Sequence, residues 1–218
     1  MAIKVFYHIC AINNALDVVK THVMMIHMSC LYDDVDGIYC CVSGEPPLIQ
    51  QVCDFLSTAG KKFIIQKVAP QDTSYERLTL YAMHELVQPT DLVLYIHSKN
   101  VRYKNDCVED WSRMLSYFVI KHHRTCQHLL QNGYDVVGCN YHNGNGMYPY
   151  HFSGNFWWSR GDYYLTLPHQ IGSEYCAPEF YVCQNKPRAY CLYSSHVSHH
   201  STPWKLSQYV DQDLHLPK

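Results

Sequence analysis

Apolar residues cluster along the first two-thirds of the chain in short dense blocks, separated by longer stretches where they recur every three or four positions. Blocks of the first kind read as strands buried on both faces, and stretches of the second kind as amphipathic helices. Residues 2–10 (AIKVFYHIC) predict a first strand. Asn13 or Asn14 can cap a helix over 15–29, with Leu16, Val19, Val23, Ile26 and Met28 near one face. Residues 36–43 (DGIYCCVS) predict a second strand. A helix over 47–59 follows, opened by Pro46-Pro47 and stopped by Gly60. Residues 62–67 (KFIIQK) predict a third strand, and 74–87 a helix that Pro89 ends. The most strand-like run is 91–97 (DLVLYIH). One long helix is expected over 107–131, beginning near Asp106 and closing before Gly133, then a fifth strand over 134–140 (YDVVGCN).

Five alternations of strand and helix predict an α/β fold with a central, mostly parallel sheet flanked by helices. After about residue 142 the rhythm breaks. Asn143-Gly144-Asn145-Gly146 signals a turn, 151–158 is aromatic with a glycine, and 160–218 holds short elements and a polar tail from 196. No repeat or divisive linker appears, so 1–218 is expected to be one domain.

Composition narrows the possible functions. A hydrophobic share of 47% supports a sizeable core, and a net charge of -2 gives no basic excess for nucleic acid. The 19 tyrosines suit sugar rings, which offer apolar faces and hydroxyl rims, and equally suit a core and its rim. Eleven cysteines cannot all pair, and no C-x-x-C occurs, so the thiols are expected to be reduced. No leader-type segment or membrane-length apolar run is present, so the expected location is the cytoplasm.

In an open α/β sheet, ligands bind beyond the carboxyl ends of the strands. Three buried strands end in polar residues: Tyr7 to Asn13, Ile96 to Asn100, and Gly138 to His142. No G-x-G-x-x-G, Walker-type loop or G-x-S-x-G elbow occurs. His196, His199 and His200 suggest either a metal site or a polar tail. His122 and His123 are expected on the surface of the long helix.

Four segments carry a resemblance. The strand 92–96 followed by His97-Ser98-Lys99 stands where GT-A glycosyltransferases place D-x-D. The block His151-Phe152-Ser153-Gly154-Asn155-Phe156-Trp157-Trp158 resembles the H-[FY]-S-G-N-F-W-W segment of a small GT-A family. Ala177-Pro178-Glu179-Phe180 resembles its P-E-[FW] segment, and Tyr75-Glu76 to Thr79-Leu80 its E-x-x-T-L helix. That family occurs in large algal (chlorella) viruses, where it glycosylates capsid glycans, and in bacterial polysaccharide loci. The resemblance covers about residues 3–193.

The resemblance implies transfer of a rhamnose- or glucose-type sugar from a UDP-sugar donor to a glycan or glycoprotein acceptor, in a host cytoplasm if viral. About 1–142 would bind the nucleotide and about 143–195 the sugar and acceptor. The nucleotide would meet His8, Cys10, Ala11, Ile12, Asn13, Tyr75, Arg77, His97, Ser98 and Lys99. The sugar and acceptor would meet Asn140, Tyr141, His142, His151, Ser153, Gly154, Asn155 and Trp157. Trp157 and Trp158 are expected to split, one in the core and one near the acceptor.

Glu179, Lys99 and His97 are the candidate catalytic residues, Glu179 as the acceptor's general base if the reaction inverts. With no carboxylates at 97 and 99, a divalent cation (Mn2+ or Mg2+) is possible but not demanded. Either His97, with His196, binds metal, or Lys99 stabilises the leaving diphosphate as a point charge. The competing readings are a nucleotide-sugar-binding module without turnover and a histidine-based metal hydrolase.

Overall fold

A computed structural model describes residues 1–70, 75–102, 104–144, 148–210 and 214. The expected residues Ser74, Asn145 and Gly146, and most of the tail beyond 210, lie outside them.

The elements in chain order are β1 (Ile3–Ala11), α1 (Ala15–Met28), α2 (Leu31–Asp34), β2 (Gly37–Gly44), α3 (Pro46–Ala59), β3 (Phe63–Pro70) and α4 (Arg77–Leu86). Then come β4 (Leu92–His97), α5 (Asp106–Ser116), a π-helical turn (Tyr117–Lys121), α6 (His123–Gln131), β5 (Val136–Gly138), β6 (Tyr141–Asn143) and β7 (Tyr150–Phe152). The chain continues through β8 (Trp157–Arg160), α7 (Gly161–Tyr164), α8 (Ala177–Tyr181) and β9 (Ala189–Cys191).

Seven strands form one sheet in the order β3-β2-β1-β4-β8-β5-β9, and β6 and β7 form a separate hairpin. Every described pairing in the large sheet is parallel except those of β8, which runs antiparallel between β4 and β5. The α/β class and the mostly parallel sheet follow from the alternation read above. Period-two packing divides the core. Val5, Tyr7 and Ile9 of β1 face one layer, with Val19, Leu56, Leu115 and Leu129. Phe6, Val93 and Tyr95 face the other, with Leu80, Met83, Tyr164 and Tyr181.

Three expectations are corrected. The helix over 107–131 is not continuous. The π turn at Tyr117–Lys121 breaks it, and the Val119 carbonyl there accepts the Trp158 indole N–H at 2.8 Å. His123 is buried, with its Nε2 2.8 Å from Asp34 Oδ2, rather than lying on the surface. Met28 is exposed, and His22 takes the buried position on α1 instead. The late strand β8 was not foreseen as a strand.

Both Trp157 and Trp158 are core residues, so the expected split does not occur. They point to opposite faces of β8: Trp158 joins the α1/α5 layer, and Trp157 stacks on Tyr95 at 5.0 Å.

Candidate functional site

The carboxyl end of β4 meets the entry to β8, and two loops fold over the junction. Asn100, Asn140 and Asn155, one in each connecting segment, adopt left-handed backbone (φ 72, 52 and 57), as do Asn13 and Tyr75 nearby in sequence to the other strand ends. Asparagine tolerates this region better than most residues, and such positions gather where ligands bind. Gly154 (φ +95) is a further case. A Cβ there would lie 2.5 Å from Leu115 Cδ1 and 3.0 Å from the Trp111 ring, so only glycine fits.

Lys99 is half-buried two residues past β4, with its ammonium 3.8 Å above the centre of the Trp111 ring. Among the described residues it makes no ion pair. Burial lowers its pKa, and Glu179 and Glu76 partly hold it up. His199 stacks on Trp111 with ring centres 5.1 Å apart and planes 11° apart. Two buried polar atoms in this stack, Trp111 Nε1 and His199 Nδ1, have no hydrogen-bond partner among the described residues. Buried polar groups are almost always satisfied, so these two nitrogens beside the lysine are candidate contacts for a polar ligand.

Two carboxylates flank the lysine. Glu179 Oε1 accepts the Gly154 N–H at 2.8 Å, and His97 Nε2 lies 3.0 Å from the Gly154 carbonyl. One glycine peptide therefore fixes both groups. His97 is driven down to about 3, by burial first and then by Lys99, so it is neutral and its Nε2 carries the proton donated to that carbonyl. Glu76 Oε2 accepts the Tyr95 hydroxyl at 2.8 Å and the Asn155 amide, and the Asn155 carbonyl oxygen accepts the Trp157 indole N–H at 2.8 Å. Asn140 holds the returning chain: its Oδ1 accepts the Ser195 N–H at 2.9 Å, and the Ser195 hydroxyl lies 2.7 Å from His199 Nε2. His199 is pushed down to about 4 by burial and then by Lys99.

The structure thus gathers His97, Lys99, Gly154, Asn155 and Glu179, with Asn140 reaching the cluster through Ser195 and His199. Ser98 is buried, and its hydroxyl accepts the Cys10 N–H at 2.8 Å, tying β1 to β4. His8 is buried against the Thr79 hydroxyl at 3.0 Å. Ala11 and Ile12 are buried, leaving only backbone for a ligand. The Asn13 amide donates to the Val101 and Arg102 carbonyls, and Tyr75 packs edge-on to Tyr175 under Arg102. The Ser153 N–H donates to the Asn140 carbonyl at 3.1 Å. Tyr141, His142 and His151 belong to the β6–β7 hairpin, where the two histidines stack at 5.1 Å and His151 meets Phe180.

Other expected contacts fail. The buried Arg77 gives its guanidinium to the Gly172 and Glu174 carbonyls, so a phosphate cannot claim those donors. Trp157 is sealed in the core and meets no sugar. His196 is exposed, and no group of three or more His, Cys, Asp or Glu able to hold a metal exists among the described residues. The pairing of His97 with His196 as metal ligands has no geometry behind it. Trp111 and Ser195 were missed, since neither stands in a motif or at a strand end; His199 was weighed only as a metal ligand or part of a polar tail, and instead it stacks on Trp111. Glu76 was read only as a helix start.

Residues 6–170 match the family described as "Domain of unknown function (DUF8361)". No curated protein matches the chain. A solved structure of 4-diphosphocytidyl-2C-methyl-D-erythritol synthase from Anaerococcus prevotii DSM 20548 is similar at a TM-score of 0.49 and 10% identity, over 96% of this chain and 95% of that one. Neither match is to an algal-virus transferase. Among the described residues, no helix is long and apolar enough to cross a membrane.

Proposed function

The chain belongs to the family described as a domain of unknown function (DUF8361), and from that premise we propose that it is a nucleotide-sugar glycosyltransferase working at the β4–β8 junction. The observation that carries the reading is the Lys99 ammonium. It is half-buried, without an ion pair among the described residues, stacked on Trp111, and bordered by two anchored carboxylates. A fixed cation in a partly desolvated edge suits a diphosphate leaving group, whose charge grows as the bond to the sugar breaks.

In this reading an acceptor hydroxyl attacks the anomeric carbon, and the carbon–oxygen bond to the diphosphate breaks with its electron pair passing to the phosphate oxygen. Lys99 neutralises that oxygen. Glu179 takes the acceptor proton: its Oε1 is held by the Gly154 N–H, which sets the carboxylate's direction. His97, neutral and pinned to the Gly154 carbonyl, fixes the same peptide from the other side. Glu76 positions Asn155 through the side-chain amide.

The residues present do not fit a divalent metal. His97 Nε2 spends its proton on a carbonyl, its Nδ1 stands 3.9 Å from Glu76 Oε1, and no third ligand joins them among the described residues. No step is therefore routed through a cation. UDP as the nucleotide, and a rhamnose- or glucose-type sugar, rest on the resemblance of the HFSGNFWW block alone.

A thermal-shift screen of UDP, GDP and CMP, each with and without manganese, tests the reading. A ligand that binds only the folded state stabilises it according to its affinity. UDP should give the largest shift, with little change on adding manganese, and UDP should be released from a UDP-sugar. Binding without release would favour a silent binding module. No shift with any nucleotide and no release would sink the proposal.

A further inference from the structure

The β6–β7 hairpin packs against α8, the helix that carries Glu179, and has no part in the chemistry described so far. Its register pairs Tyr141 with Phe152, His142 with His151 and Asn143 with Tyr150. Side chains alternate along a strand, so the two faces of the hairpin differ. On one face Tyr141 packs against Phe152 at 5.0 Å, and Phe152 belongs to the core. The other face carries His142 and His151, stacked at 5.1 Å. Tyr148 meets His142 edge-on at 6.1 Å, and Phe180 of α8 meets His151 edge-on at 5.1 Å. Four rings thus form a row, and its outer member, Tyr148, is 51% exposed.

The hairpin also fixes what the two histidines present outward. The Gly144 N–H donates to His142 Nδ1 at 3.1 Å, so the proton of that ring is on Nε2, a donor. His151 Nδ1 donates to the Pro149 carbonyl at 2.8 Å, so Nε2 of its neutral ring is an acceptor. Both rings are part-buried, and neither Nε2 has a hydrogen-bond partner among the described residues. A donor and an acceptor side by side match hydroxyl groups, which both give and take a hydrogen bond.

Single exposed aromatic residues are normal on a protein surface, whereas a contiguous patch marks a place of interaction. This patch is almost free of charge. The described residues of the hairpin and of α8 include one charged side chain, Glu179. Glu179 and Phe180 are consecutive, with Cα atoms about 3.8 Å apart. Gly154, whose N–H holds Glu179, follows the end of β7 by two residues. The row therefore starts beside the carboxylate and runs outward through His151 and His142 to Tyr148.

We propose, resting on the transferase reading above, that this row is the acceptor platform and that the acceptor is a neutral saccharide of at least two units. The unit bearing the attacking hydroxyl lies at Glu179. The next unit lies along Phe180, His151, His142 and Tyr148. Its C–H faces meet the aromatic rings, and its hydroxyls meet the two Nε2 atoms. A lipid tail or an apolar peptide would strip water from both nitrogens without replacing it. An anionic acceptor would find no cation on the row, and a single sugar at Glu179 would leave the row uncovered.

The test is an array of neutral mono- to tetrasaccharides probed with the full chain. Calorimetric titration then follows with the best-bound disaccharide and with each of its two monosaccharides. Saturable binding of the disaccharide is expected, at least about ten-fold tighter than either monosaccharide. Tyr148→Ala removes an exposed ring, so the melting temperature should hold while disaccharide affinity falls about three- to ten-fold. His142→Phe keeps a ring in the row and removes the Nε2 donor, and a fall of about the same size is expected.

Absence of saturable binding by any array member, or unchanged disaccharide affinity in both variants, would overturn the assignment. So would a monosaccharide that binds as tightly as the disaccharide, since the row would then hold no second unit. UDP is titrated into the same samples. UDP binding with no saccharide binding defeats the platform alone, and saccharide binding with no UDP binding defeats the transferase reading alone.

Discussion

Lys99→Met separates the two roles a buried lysine can have. The side chain is half-buried, its ammonium sits 3.8 Å from the Trp111 ring centre, and no carboxylate pairs with it among the described residues. A cation–π contact contributes about 0.5–2 kcal/mol. Against this stands the cost of holding an ammonium partly out of water, which is what lowers its pKa. Methionine keeps the length and the contact with the ring and removes the charge. The two terms oppose one another, so the melting temperature at neutral pH should stay within a few degrees or rise.

The pH dependence has a definite sign. A lysine whose folded pKa lies below its unfolded value binds fewer protons folded than unfolded between the two, so wild-type stability rises with pH in that window. The window runs from the lowered folded pKa up to the ordinary 10.5. Any advantage of Lys99→Met should therefore be largest below it and shrink as the pH climbs through it.

Ligand binding should respond much more strongly. A charge-assisted bond to a phosphate oxygen is worth about 1.5–3 kcal/mol, so UDP affinity should fall roughly ten- to a hundred-fold. Calorimetric titration with UDP, beside urea melts at several pH values, measures both effects. If wild type binds UDP and Lys99→Met keeps that affinity within about two-fold, the lysine does not hold the diphosphate. If the variant unfolds at neutral pH, the lysine is a structural group and the electrostatic account is wrong.

Other variants probe the rest of the site. Glu179→Gln keeps an oxygen to accept the Gly154 N–H, now 2.8 Å from Oε1; donor affinity should hold, while turnover drops about 10²–10⁴-fold, as measured by UDP release. Gly154→Ala puts a Cβ 2.5 Å from Leu115 Cδ1 at a φ of +95; a loss of roughly 2–4 kcal/mol in urea unfolding is expected, from the strained backbone and the overpacking together. Asp34 is held down to about 2 by Arg124 and then His123. A depressed carboxylate contributes stability that is full above its ordinary value and is lost as pH falls through the folded one. Asp34→Asn should thus cost roughly 1 kcal/mol near pH 6, and wild type and variant should converge as the pH drops from about 4 to 2; a constant difference there would contradict the assignment.

The first two-thirds of the chain was legible because its signals are local. A block such as DLVLYIH over 91–97 is apolar on both sides, and only a strand buried on both faces uses it, so β4 (Leu92–His97) forms within one residue of the expectation. The C-terminal half of the sheet was less legible. Trp157–Arg160 is four residues long, and nothing in four residues states that the strand will run antiparallel between β4 and β5.

The site divides in the same way. Lys99 and Glu179 could be proposed from their segments, because a strand end and a short motif are read along the chain. What lies around them could not. Arg77 has a phosphate-binding side chain, yet the fold spends it on the Gly172 and Glu174 carbonyls, 95 and 97 residues away. His199 sits in a tail without periodicity, yet it is carried by the Asn140–Ser195 contact onto Trp111. The sequence by itself determined where the first five strands lie and which of their ends are polar, since these follow from the solvation of neighbouring residues. Tertiary structure alone decided which polar groups are satisfied and which are left open, because hydrogen bonding in a dry interior depends on partners that the chain brings from far along its length.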